Sequence, residues 1–230
     1  MGGENGNLKK ALEYLREALK AHTSVQLSPD QRREEARFLH DIGMCHHRDG
    51  NVDGALSEYR RVVSLLEKLL VETPSDANTS GILRRARFDI SSAFSGISVA
   101  LADKDANEEA LDYALKALEI RKSIMGSNHA SVAECLNTLG GLYFRQENFN
   151  KAAEVYQESL RILLTKTQGK EENKYVALAY YNIGLTYNKL GINKGRDAVF
   201  KAYLIAEHIF GTNHDQTMQI KQSLDEMDRR

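Results

Sequence analysis

Leu136-Asn137-Thr138-Leu139-Gly140-Gly141-Leu142-Tyr143, followed by Glu147-Asn148-Phe149-Asn150-Lys151-Ala152, is the stretch whose reading decides the fold. A large residue is followed at +3 by Leu, at +4 by a small residue and at +7 by a ring. A short polar turn follows, then one apolar residue, then an alanine three positions later. Outward from it the same order returns. Tyr180, Ile183, Gly184 and Tyr187 repeat the first half, as do Leu39, Ile42, Gly43 and His46, and in degenerate form Phe94, Ile97, Ser98 and Leu101. Gly50-Asn51-Val52-Asp53-Gly54-Ala55 and Gly6-Asn7-Leu8-Lys9-Lys10-Ala11 repeat the turn.

Self-similarity at a fixed period means stacked units that bury a shared core. Two prolines, few β-branched runs and an abundance of Ala, Leu, Glu, Lys and Arg make each unit helical. Small residues let two antiparallel helices approach closely, and the large ones fill the groove and reach the next unit.

These marks resemble the tetratricopeptide repeat. In that family's numbering the best copy reads Leu136 at 4, Leu139 at 7, Gly140 at 8, Tyr143 at 11, Ala152 at 20, Tyr156 at 24 and Ser159 at 27. Ala110 and Ala152 stand 42 residues apart, longer than the roughly 34 of the basic repeat. Gly126-Ser127-Asn128-His129 and Gly211-Thr212-Asn213-His214 lie 85 apart, about two such periods. With Ala117-Leu118-Glu119-Ile120 and Leu136-Asn137-Thr138-Leu139-Gly140, this is similar to the kinesin-light-chain type of repeat, well over residues 108–214 and loosely before them.

The resemblance implies an all-α, right-handed α-solenoid of antiparallel helix pairs. It is expected to hold a leading half repeat over 7–22, full repeats over about 30–71, 82–126, 130–166 and 174–211, and a capping helix over 215–229, as one domain over 1–230. Ser28-Pro29-Asp30-Gln31 predicts a capping box with proline at the first helical position. A surface loop inserted over Thr73–Gly81 is read as the reason the interval from Ala55 to Ala110 is 55 residues and not 42, and 164–173 is read as a smaller extension. In the last repeat either Arg196 or Ala198 fits the alanine place, and the register stays open. The capping helix turns Met218, Ile220 or Leu224 inward.

Composition narrows the function. A net charge of −1 gives no basic surface for nucleic acid. No apolar run approaches the roughly 18 residues of a membrane helix. Cys45 and Cys135, far apart within predicted helices, read as reduced thiols, and a cytoplasmic protein is expected. Phosphate-loop, dinucleotide, nucleophile-elbow and zinc-helix motifs are missing from the sequence, so no enzyme and no cofactor is expected. Cys45-His46-His47 with His40 is the only metal-like cluster. It lacks the third and fourth ligands a closed site needs, and no metal is assigned.

By resemblance, positions 2, 5, 9, 12 and 13 of each first helix face a concave groove. They are Arg37, His40, Met44, His47 and Arg48; Ser92, Ser95, Val99, Ala102 and Asp103; Glu134, Asn137, Gly141, Phe144 and Arg145; and Leu178, Tyr181, Leu185, Asn188 and Lys189. The expected peptide-binding residues are Arg37, His40, His47, Arg48, Asn137, Phe144, Arg145, Tyr181, Asn188 and Lys189. Cations outnumber acids on this surface and amides suit peptide backbone. The expected partner is therefore an extended, somewhat acidic peptide of another protein, with the chain as adaptor or scaffold. Two alternatives stand beside it: a regulatory repeat domain of a larger enzyme or motor assembly, and a scaffold that pairs with its own copy. The Lys/Arg/Asn clamp for chaperone tails is absent from positions 5 and 9.

Overall fold

The computed structural model describes residues 10, 12–18, 20, 27–166 and 173–229. Regular structure among them is helical throughout. The helices are α1 (Pro29–Arg48), α2 (Val52–Glu72), α3 (Ser80–Asp103), α4 (Asn107–Met125), α5 (Ala130–Arg145), α6 (Phe149–Lys166), α7 (Lys174–Lys189), α8 (Lys194–Phe210) and α9 (Asp215–Asp228). Residues 12–18 of the expected leading half repeat are helical, with Leu12 buried; the rest of that half repeat lies mostly outside the described residues, as does 167–172. The chain divides into two compact units, one ending at Ile124 and one beginning at Met125.

In the first unit α1 starts on the capping box read from the sequence. Ser28 Oγ accepts the Gln31 amide at 3.3 Å, and Gln31 Oε1 accepts the Ser28 amide at 2.9 Å. The core joins Leu39 of α1, Val62, Leu66 and Leu69 of α2, and Ile82, Leu83, Ala86 and Ile90 of α3. Tyr59 of α2 is the wedge between repeats. A Cβ on Gly43 of α1 or on Gly96 of α3 would come within 2.7 Å of its ring, so both glycines serve close approach. The long interval before Ala110 is mostly helix, not loop: α3 runs 24 residues against 16 for α5. The loop that remains is turned by Asp76, whose Oδ1 accepts the Asn78 and Thr79 amides at 2.8 and 2.9 Å.

The second unit repeats this packing. Tyr156 of α6 wedges against α5, where a Cβ on Gly140 would stand 2.4 Å from its ring. Ala152, Tyr156, Ile183 and Ala198 form one cluster, and Val199, Ala202, Ala206, Ile220 and Leu224 another. Helix α9 therefore packs on α8 through Ile220 and Leu224, while Met218 faces solvent. Two histidines start helices here. The Nδ1 of His129 accepts the Ser131 amide, and that of His214 accepts the Gln216 amide, each at 3.2 Å.

Backbone geometry settles the last register. Gly50, Asp105, Glu147 and Gly191 all adopt positive φ, each seven residues after the small residue of its own first helix (Gly43, Ser98, Gly140, Gly184). In three repeats the alanine comes five residues later, and its amide bonds the carbonyl four back: Ala55 to Asn51, Ala110 to Ala106, Ala152 to Asn148. In the fourth, Gly195 takes the place after four residues and bonds Ile192, three back. A Cβ there would stand 2.9 Å from the Gly184 carbonyl, so the shortened turn requires glycine. Neither Arg196 nor Ala198 occupies the position.

Candidate functional site

The first helices carry the expected residues in each unit, but to different fates. In the first unit, α1 carries Arg37, His40, His47 and Arg48. His47 Nε2 lies 2.8 Å from Asp103 Oδ2 on α3, which joins consecutive first helices. His40 packs its ring against Tyr59 at 5.3 Å between centroids. His46 faces the Asn51 amide at 3.1 Å. The three rings thus turn to three different partners. Cys45 is half-buried, and burial pushes its thiol pKa up against the pull of nearby Arg48.

An acid missed from the sequence sits beside these residues. Asp89 of α3 lies 2.6 Å from Arg33 of α1, with both side chains largely covered. Their attraction is mainly Coulombic. Burial raises the Asp89 carboxyl above the usual aspartate range, and Arg33, Arg37 and His40 oppose that rise without cancelling it. Arg37 and Arg48 are exposed and make no ion pair among the described residues. The first unit therefore satisfies much of its own face internally.

In the second unit Asn137 of α5 and Asn182 of α7 are bonded, Asn182 Nδ2 donating to Asn137 Oδ1 at 2.9 Å. Tyr181 turns its hydroxyl to Ser223 of α9 at 2.9 Å. Phe144 packs edge-on against Phe149 at 5.2 Å and belongs to the local core. Arg145, Asn188 and Lys189 are exposed at the C-terminal ends of α5 and α7. Those ends lie about seven residues, or roughly 10 Å along a helix, from Asn137 and Tyr181. The expected residues of this unit therefore fall into two groups, not one.

Two cavities open at the other end of these helices. The larger, about 280 Å³, is lined by Lys174, Tyr175, Leu178 and Tyr181 of α7, Phe210 of α8, and Gln216, Gln219 and Ile220 of α9. The smaller, about 170 Å³, lies between α5, α6 and α7, with Glu134, Asn137, Leu163, Tyr175 and Leu178 on its walls. Tyr175 and Leu178 belong to both and are about 40 % exposed. Leu178 was marked as groove-facing by the repeat phase. Tyr175 and the α9 glutamines carry no signal in the repeat pattern.

Two sequence models, each described as tetratricopeptide repeat, match residues 3–76 and 89–165, together about two thirds of the chain. The chain belongs to the tetratricopeptide-repeat superfamily. BtubC (BKLC) from P. vanneervenii is 20% identical over 92% of this chain and 78% of its own, with a TM-score of 0.71. A Podosopora anserina putative kinesin light chain of nearly identical TPR-like repeats is 14% identical over 89% of each chain, at 0.64. A Rap protein complexed with Competence and Sporulation Factor is 18% identical over 97% of this chain and 60% of its own, at 0.62. These likenesses show the fold. No curated protein matches the chain. In general terms the chain is a protein–protein interaction module of a typically non-catalytic fold. Among the described residues no helix is long and apolar enough to cross a membrane.

Proposed function

We propose that the chain binds an extended, somewhat acidic peptide segment of a partner protein on the faces of its first helices, and acts as an adaptor or scaffold without catalysis. The Asn137–Asn182 pair carries this reading. One hydrogen bond between the two side chains leaves the Asn137 NH2 and the Asn182 Oδ1 for a ligand. A donor beside an acceptor is what a peptide unit complements, and half-burial makes leaving them unused costly.

The charge balance supports an acidic ligand. Asp103 and Asp89 are already matched to His47 and Arg33, whereas Arg37, Arg48 and Lys189 have no ion-pair partner among the described residues. Arg48 serves the first unit's face, and Arg145 and Lys189 the second's. The Rap protein, similar in fold, is complexed with Competence and Sporulation Factor, which agrees with ligand capture by a protein of this fold.

An arrayed library of acidic and basic twelve-residue peptides tests the reading. The wild type should favour acidic members. Reversing Arg48, Arg145 and Lys189 together to Glu should abolish that preference, and unchanged binding of the acidic members would overturn it.

A further inference from the structure

We propose that the second unit selects peptides by two apolar side chains two residues apart, one entering each cavity beside Leu178, and that α9 is a wall of this site and not only the end of the stack. The proposal rests on the peptide-binding reading above and specifies its ligand.

Cavity size sets what enters. An apolar cavity of about 150 Å³ is enough to admit a benzene-sized group. The cavity of about 170 Å³ thus takes one branched or aromatic side chain, and that of about 280 Å³ takes a large one with room beyond it. Their walls are mainly apolar, so a charged side chain would lose its hydration there without recompense.

Spacing follows from the shared walls. Because Tyr175 and Leu178 line both cavities, a single row of side chains separates the two occupants. Groups in van der Waals contact with opposite sides of Leu178 stand a side chain's width apart. An extended peptide presents side chains on one face at every second residue, roughly 6.6 Å apart. A separation of four residues would be roughly 13 Å and would overshoot the ridge.

The polar groups at the rims favour a peptide as occupant. Asn137, held by Asn182, stands at the smaller cavity and suits the main chain there. Gln216 and Gln219 supply further amides from α9 at the larger one. Lys174, with Nζ held 5.1 Å from the Tyr175 ring centre, places a cation at that mouth, where an acidic residue flanking the apolar pair would meet it. Glu134 on the smaller cavity and exposed Asp215 at the start of α9 are the opposing charges; both disfavour a second acid in their vicinity.

The test uses fluorescein-labelled nine-residue Asp/Ser peptides carrying two Leu residues at separations of one to five, read by anisotropy against the full chain. Separation two should bind at least tenfold tighter than the others. Leu178→Asp should remove that advantage. Gln219→Trp, which fills the larger cavity from α9, should lower affinity tenfold for the separation-two peptide and little for peptides with one Leu. Leu204→Asp, at an exposed apolar position on α8 outside both cavities, should change nothing and controls for the added charge. Should peptides bind with no spacing preference, or Leu178→Asp bind as wild type with its helicity intact, the two-cavity proposal is overturned while the peptide reading stands. If no peptide of any spacing binds, both fall.

Discussion

The two units share one packing scheme and differ in what stitches their repeats. In the first, consecutive repeats are tied by charges: Arg33 to Asp89, His47 to Asp103, Lys104 to Asp53, Arg60 to Glu109. In the second, neutral groups do most of this: Asn182 to Asn137, Gln157 to the Tyr187 hydroxyl, Tyr181 to Ser223. A charged seam occupies the side chains that a ligand would use. A neutral seam of amides keeps unused donors and acceptors beside open cavities. One repeat pattern can thus yield a face that is largely self-satisfied and a face with unused polar groups beside open cavities, and polar residues outside the pattern decide which.

The largest effects lie in what the units share. Tyr59→Ala and Tyr156→Ala should each cost about 3–5 kcal/mol in urea unfolding, as large core truncations do. The comparison sharpens in hydrogen exchange. Tyr59 touches Gly43 and Gly96, so its loss should expose amides of both α1 and α3. Loss of Tyr156 should act on α5 and α6 first. Equal, unit-wide deprotection by both variants would erase the distinction. Burial also pushes the Tyr59 phenol up to about 12 from its ordinary 10.0 and raises Tyr156 as well. The unfolded chain ionises these groups first, so stability should fall as pH climbs above about 10, and Tyr59→Phe should soften that fall.

The charged seam gives the next effect, confined to the first unit. Arg33→Met leaves Asp89 covered and unpaired, and should cost about 1–3 kcal/mol. Asp89→Asn should cost less, because it also removes the carboxylate that burial disfavours. The sign with pH is distinctive. A raised carboxyl binds its proton more firmly folded than unfolded, so its contribution diminishes as pH rises from the ordinary aspartate value through the raised one. Glu72 and Asp76 are held low and work the other way, gaining stability over acidic pH. The difference between wild type and Asp89→Asn isolates the first slope. A wild-type advantage that grows with rising pH over that range would contradict the burial argument.

The repeat phase was legible because packing distance constrains every copy at the same places: Gly43, Ser98, Gly140 and Gly184 could be aligned without coordinates. The turn was half legible. Gly50 and Gly191 announce positive φ, but Asp105 and Glu147 take the same conformation with no such signal. The missing residue before Gly195 was hidden because helix α8 offers several small residues, and only the Gly184 carbonyl distinguishes them. The site was less legible than the fold. Family positions located Asn137, Tyr181 and Leu178 but gave no measure of which were spent internally. Asp89, and Arg121, which is buried over Phe88 and donates to Ser91 Oγ at 3.2 Å, lie outside the groove positions altogether. Cavities come from the gaps between helices, and a period in the sequence does not encode gaps.

The smallest effects test how helices begin in each unit. Ser28 caps α1 through a reciprocal pair with Gln31, whereas His129 and His214 cap α5 and α9 with a ring nitrogen. Ser28→Ala and His129→Ala should each cost about 1 kcal/mol, and His129→Asn should restore most of it, because asparagine is a preferred cap. His214 has a second contact: its ring stacks on Phe210 at 4.6 Å, and Phe210 lines the larger cavity. His214→Asn therefore keeps the cap and loses the stack. It should remain about 0.5–1.5 kcal/mol below wild type, the range for an aromatic pair, while His129→Asn does not. Were both asparagine variants to recover equally, the stack would contribute nothing to stability, and the wall formed by Phe210 and α9 would owe its position to Ile220, Leu224, the Tyr181–Ser223 bond and the Arg196–Asp228 pair.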